Sequence, residues 1–224
     1  MTLTILGLLP LIGAVVISAL PKANEKLTKQ VALATTIVVA IASYILAAGF
    51  NRSDIRLQFF ESYNWISSFG IKYAVGVDGI ALVLILLSVT LAPIVILAGW
   101  NEPEAGRWSV KTFYILLLVL ETMMIGVFAA TDVFLFYVFF EAMLIPVYFL
   151  IGGYGSGQRA AAAIKFLLYS LFGGLLMLAS IIALYVISGN QGGHTFDIGS
   201  LAQLQLDKGT QNWLFLGFFI AFAI

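Results

Sequence analysis

Long apolar runs separated by short polar ones organise this 224-residue chain. Runs at residues 3–20, 31–50, 77–100, 110–130, 133–151 and 160–188 approach or exceed the ~20 apolar residues that carry a helix across about 30 Å of hydrocarbon. A seventh run opens near Trp213 and reaches only to Ile224, too short to cross. The pattern predicts an all-α fold, a polytopic transmembrane helix bundle of six complete helices and a truncated seventh, in a chain that is a piece of a longer polypeptide. The first four helices fall within residues 1–130, and the fifth, the sixth and the start of the seventh within 131–224. No internal repeat is visible in these runs.

The polar intervals are not uniform. In the loop at 51–74, Ile55, Leu57 and Phe59 alternate with Arg56 and Gln58, and Ser67 to Gly70 supplies turn residues, which predicts a small β-hairpin on the outer surface. Residues 189–193 read as loop, and 201–206 as a short interfacial helix. The first apolar run lacks a positive leading segment, so it is read as a retained helix rather than a signal peptide. Lys22, Lys26, Lys29, Arg107, Lys111 and Arg159 follow helices one, three and five, against Arg52, Arg56, Lys72 and Lys208 after helices two and six. This excess predicts an N-terminus outside, with Trp100 and Trp108 at the inner interface and Trp65 and Trp213 at the outer one.

Composition narrows the class. Hydrophobic residues make up 62% and charged residues 10%, where soluble globular chains carry about 25% charged, so this is an integral membrane protein. The formal net charge is +0 and no basic run offers a phosphate track, which removes the case for nucleic acid. With no cysteine and one histidine, His194, the chain cannot bind an iron–sulfur cluster through thiolates or hold a haem between two of its own histidines. Any electron carrier resides elsewhere.

Away from their ends, three charged residues interrupt the spans. Glu141 lies roughly 12 Å into its run, near the bilayer midplane, where a charge costs on the order of 2.5–3.5 kcal/mol on insertion scales. Pro146 cannot donate to the Ala142 carbonyl and leaves a polar backbone group one residue away. Helical spacing aligns Glu141 with Phe134, Tyr137, Leu144, Ile145 and Tyr148. Glu121 sits halfway along helix four, with Tyr114, Leu117, Met124 and Phe128, and the tight 130–132 turn predicts that both acids share one interior. Its plainer reading is a neutral acid bonded to a carbonyl or a threonine. Lys165, about 7 Å inside helix six, is expected either to face inward beside Gly173 and Gly174 or to snorkel to the interface. A carboxylic acid in apolar surroundings keeps its proton. An ammonium at 4 Å favours the charged form by roughly 4 kcal/mol at an effective dielectric near 20, about three pK units. A lysine moving near Glu141 would therefore load and release a proton without a cofactor.

Asp78 and Asp132 stand where helix N-caps are expected. Gly152, Gly153, Gly155 and Gly157 match no phosphate-loop pattern and read as an inner loop, and His194 as a solvated loop residue.

The run FYVFFEAMLIPVYFLIGGYG closely resembles the fifth helix of chain M, also called chain 4, of the proton-pumping NADH:quinone oxidoreductases, respiratory complex I. The likeness extends through YAVGVDGIALVLILLS, ETMMIGVFAATDVFLFYVFFE and AAAIKFLLYSLFGG. It implies an antiporter-like subunit in which Glu141, Glu121 and Lys165 serve proton translocation, and in which a lysine would follow Ile224. NADH, flavin mononucleotide, iron–sulfur clusters and quinone would belong to partner subunits, with no cofactor in this chain. Its partners would be the lipid bilayer and the other membrane subunits, in a bacterial inner membrane. The alternatives are a subunit of a multi-subunit cation/proton antiporter and a structural subunit with no proton path.

Overall fold

The computed structural model describes residues 2–21, 24–54, 56–102 and 108–224. The elements in order are α1 (Thr2–Ala19), α2 (Glu25–Ala48), β1 (Gln58–Ile66), β2 (Ile71–Val77), α3 (Gly79–Ala98), α4 (Val110–Ala129), α5 (Val133–Tyr154), α6 (Arg159–Gly189), α7 (Ile198–Leu201) and α8 (Lys208–Ala223). Helices α1 to α6 are each long and apolar enough to cross a membrane, and the seventh predicted span is α8. Its start lies earlier than Trp213 because Asp207 caps it, accepting from the Thr210 amide at 3.0 Å. Asp78 likewise caps α3, accepting from the Ala81 amide at 2.7 Å.

The hairpin forms, displaced from its expected bounds. Its turn is the 3₁₀ segment Ser67–Phe69 closed by Gly70 at φ +70°, a left-handed conformation that favours glycine. The second strand runs to Val77, which the apolar pattern assigned to helix three; the Asp78 cap begins that helix at Gly79. Ile55, the start of the expected alternation, lies outside the described residues, as do Lys22 and Arg107. Phe59 takes φ +53° where the strand register slips between Gln58 and Glu61, a bulge that delays regular pairing. Nor does the hairpin merely lie on the surface: Val75 and Val77 of β2 are buried with Leu3, Leu6, Val39, Ile85 and Ile125 of α1–α4. The expected helix at 201–206 is instead the single turn α7, begun early by Asp197, whose carboxylate accepts from the Ser200 amide at 2.7 Å.

The opposite end of the bundle is held differently. Lys111 of α4 donates to the carbonyls of Ser18 and Leu20 at 2.6 and 2.7 Å, neutralising the C-terminal end of α1. The Lys29 ammonium lies 5.7 Å above the Trp100 ring. Gly152 and Gly153, expected in a loop, belong to the last turn of α5. A Cβ at Gly153 would stand 2.6 Å from the Trp108 ring, so the glycine seats that indole against the helix.

Candidate functional site

Helix α5 is positioned from its N-terminus. Asp132, 2% exposed, caps it through Oδ1, which accepts from the amides of Phe134 and Leu135 at 2.9 and 3.0 Å. Its Oδ2 accepts from the Lys72 amide of β2 at 3.1 Å. Burial pushes the Asp132 carboxyl above the usual range, against the pull of these three donors. The flanking backbone is tied as well: the Thr131 amide donates to Ala74 O at 2.9 Å, Val133 N to Phe196 O at 2.8 Å, and Ile198 N to Thr131 O at 3.0 Å. Asp132 thus joins the hairpin to the start of α5, a role beyond the capping that the sequence suggested, and the backbone on either side of it ties in the segment before α7.

Nine residues along α5, roughly 13 Å from that anchor, stands Glu141. Its side chain is half-buried and turned toward α6. A Cβ built on Gly174 would collide with Glu141 Oε1 and lie 2.6 Å from its Cδ, so only glycine leaves room for the acid at this crossing. Oε1 is buried and has no hydrogen-bond partner among the described residues. The neighbouring Gly173 performs the matching service for α8: its Cβ would lie 3.1 Å from Ala221 O. Two adjacent glycines of α6 therefore receive the carboxylate on one side and the end of α8 on the other. Phe136 and Phe140 of α5 close the gap by packing on Phe222, with ring centroids 6.3 and 5.6 Å apart. Helix α5 continues unbroken through Pro146, which leaves the Ala142 carbonyl without its helical donor.

Glu121 is deeply buried, 4% exposed, and neither carboxylate oxygen has a hydrogen-bond partner among the described residues. No hydrogen bond joins it to Glu141 among the described residues. The buried stripe of α4 is Tyr114, Leu118, Glu121 and Ile125, displaced from the stripe expected through Leu117, Met124 and Phe128. Tyr114, Leu118 and Ile125 of that stripe pack among Leu6, Ile17, Val39 and Ile96 of α1 to α3, whereas Glu141 lies against Gly174 of α6.

Of its two expected placements, Lys165 does not take the inward-facing one. It is exposed, among exposed Leu168, Tyr169 and Phe172. The reason is helical phase: nine residues at about 100° each put Lys165 on the face opposite Gly174, so the glycines that receive Glu141 turn the lysine outward. His194 is exposed but docked, with Nδ1 3.0 Å from Tyr185 O and its ring stacked on that tyrosine at 4.7 Å.

A carboxylate that sequence reasoning passed over is Glu61 of β1, 7% exposed. Oε1 accepts from the Leu3 amide at 2.8 Å and Oε2 from the Thr4 hydroxyl at 2.6 Å, so the hairpin caps α1 from outside the helix. Burial acts to raise its pKa, but the Thr4 hydroxyl and the Leu3 amide help hold it below the usual carboxylate range. An acid in the aromatic strand QFFESYNWI was the available signal; its partners lie nearly sixty residues away.

A hairpin-tied helix bundle with a half-buried acid at a mid-helix crossing defines the class: an antiporter-like, multi-pass membrane subunit. Residues 5–127 match the family model described as NADH-ubiquinone oxidoreductase chain 4, amino terminus, and residues 130–224 the one described as NADH:quinone oxidoreductase/Mrp antiporter, TM. The chain belongs to the NADH-ubiquinone oxidoreductase chain 4 family. It is 42% identical to NADH-quinone oxidoreductase subunit M of Mycobacterium tuberculosis, over 99% of this chain and 46% of that one. It is 38% identical to subunit M of Rhodobacter capsulatus, over 99% and 44%. The fold matches a chain of respiratory complex I from Thermus thermophilus with bound NADH, at TM-score 0.82 and 28% identity, over 100% of this chain and 43% of that one. A chain of the Mrp complex from Dietzia shares the fold at TM-score 0.81 and 17% identity, over 99% and 23%. The chain spans about half the length of the curated relatives it matches.

Proposed function

We propose that this chain is part of a membrane subunit of an NADH:quinone oxidoreductase, respiratory complex I, and that it translocates protons coupled to electron transfer from NADH to quinone in other subunits. The observation that carries the reading is Glu141: an acid inside an apolar span, received by Gly174 at a helix crossing, with one buried oxygen that has no hydrogen-bond partner among the described residues. Such an acid changes charge when a cation or water reaches it and is neutral otherwise. The end of α8, seated against the adjacent glycine, is the element whose movement would alter its surroundings. Glu121 is a second proton-holding acid, and Lys165 a proton-handling amine on the outward face of α6. Flavin mononucleotide, the iron–sulfur clusters, NADH and quinone belong to partner subunits, and neighbouring antiporter-like subunits flank the bundle. Lys29, Lys111 and Arg159 lie at helix ends away from the hairpin, which supports an orientation with the hairpin and the N-terminus outside; the membrane proposed is a bacterial inner membrane.

The test is Glu141→Gln in the whole complex, a change that keeps the shape Gly174 accommodates. The expected outcome is normal assembly and normal NADH oxidation by the subunits that hold the flavin and iron–sulfur clusters, with proton pumping reduced about tenfold or more. Normal pumping in an assembled complex would eliminate the proton-carrying role. A cation/proton antiporter reading is favoured by one observation, the likeness of residues 130–224 to a family model shared with Mrp antiporters. Co-purification with flavin and iron–sulfur subunits separates the two.

A further inference from the structure

Helix α8 approaches α6 closely at two places. Near its end Ala221 lies against Gly173, where an added Cβ would stand 3.1 Å from the Ala221 carbonyl oxygen. One turn earlier on α8, a Cβ at Gly217 would collide with Ser180 Oγ and lie 3.4 Å from the Ser180 Cβ. Ser180 is 6% exposed, and its hydroxyl donates within its own helix to Leu176 O at 3.1 Å, which leaves only lone pairs to offer α8. One Cα hydrogen of a glycine occupies the place of a Cβ, so Gly217 presents a C–H to that oxygen, a weak contact at an approach that only glycine permits. Fully buried Met177 fills the interval between the two contacts on α6, in the same apolar cluster as Ala221.

We propose that Ser180 and Gly217 are positioning residues: the serine side chain, seated in the notch of the glycine, sets the register of α8 along α6 and thereby the place of the Ala221 end beside Gly173 and Glu141. One close contact between two helices is a pivot. A second, about 10 Å further along α6, fixes rotation and sliding together. Gly174, next to Gly173, receives the Glu141 carboxylate, so a shift of α8 reaches the acid through adjacent residues of α6 and through Phe222, whose ring packs on Phe136 and Phe140 of α5. Ser180 itself stands about 9 Å from Gly174 along α6 and acts on Glu141 through α8. The notch is sensitive in a defined way: one methyl on Gly217 forces the helices apart, and removing the Ser180 oxygen makes room for that methyl. The consequence for proton transfer rests on the role proposed above for Glu141; the seating of α8 does not.

The experiment compares Gly217→Ala, Ser180→Ala and the double variant, in the full-length chain within its intact membrane complex, by thermal midpoint, proton pumping and the infrared band of the protonated Glu141 carboxyl. Gly217→Ala is expected to lower the midpoint, move the band and cut pumping several-fold. Adding Ser180→Ala should bring all three back close to the parent, because the nearest atom to the new methyl is then the Cβ of position 180, at 3.4 Å. Gly13→Ala is the structural control: its methyl would come 2.5 Å from Thr35 Oγ1 between α1 and α2, so it should lower the midpoint and leave the band in place. Ser180→Ala alone introduces no clash and should move the band by a smaller amount, which decides the matter if Gly217→Ala does not assemble. A band that stays in place in these variants, a loss that Ser180→Ala does not rescue, or a band moved equally by Gly13→Ala would overturn the proposal. Normal pumping in Glu141→Gln would sink the proton-carrying role alone, because rescue of the midpoint, or its failure, reads the notch without it.

Discussion

Glu61 and Glu141 are both acids pressed against a neighbouring helix, and they end in opposite states of satisfaction. At the hairpin end, each oxygen of Glu61 accepts a hydrogen bond from the first turn of α1. Within the span of α5, Glu141 lies against the bare backbone side of Gly174, and its buried Oε1 has no hydrogen-bond partner among the described residues. Burial is therefore a poor guide to function by itself. A carboxylate whose lone pairs are filled is held in one charge state and acts as a fastener; one left open in apolar surroundings is free to exchange its proton when its surroundings change.

The comparison breaks most readily at the glycine. Gly174→Val places two methyl groups where the Glu141 carboxylate lies, and overpacking of this kind costs about 1–3 kcal/mol. The account expects pumping to fall as far as in Glu141→Gln, whereas the same change at Gly152, where a Cβ would sit an ordinary 3.6 Å from Ala163, should leave it largely intact. Proton-pumping assays on inverted vesicles compare the two.

A smaller effect tests the fastening end. Asp132→Ala strips the acceptor from three amides and should lower stability by on the order of 3 kcal/mol, read as a drop in thermal midpoint. Asp132→Asn, which keeps an acceptor, should recover about half of it.

The smallest effect depends on pH. Because the folded pKa of Glu61 is depressed, its contribution is complete above the ordinary glutamate value of about 4.3 and is lost as pH falls through the lower folded value. The thermal midpoint should therefore decline below about pH 4 in the parent protein. Glu61→Gln should flatten that decline and change little at neutral pH beyond roughly 1 kcal/mol.

Much of this architecture was legible in the sequence because hydrophobic run length reports directly on bilayer crossing: all six spans formed, and Asp78 and Asp132 capped the helices they precede. Where the reading slipped, a local signal had been overruled by tertiary contacts. Val77 looked like helix because it is apolar, yet it ends a strand buried against α1–α4. Lys165 and Gly174 lie close in sequence but half a turn apart in phase, and only the crossing with α5 decides which face looks inward. The acid at position 141 could be found from its depth and its proline. The glycine that receives it could not, because their pairing across thirty-three residues leaves no local pattern.

The most direct measurement is turnover-induced infrared difference spectroscopy on the intact complex, following the carbonyl stretch of protonated carboxyl groups. The account predicts a band that appears and disappears with NADH-driven turnover, shifts on exchange into D₂O, and is absent in Glu141→Gln. A carboxyl signal that stays constant through turnover, or one that survives the substitution unchanged, would contradict it.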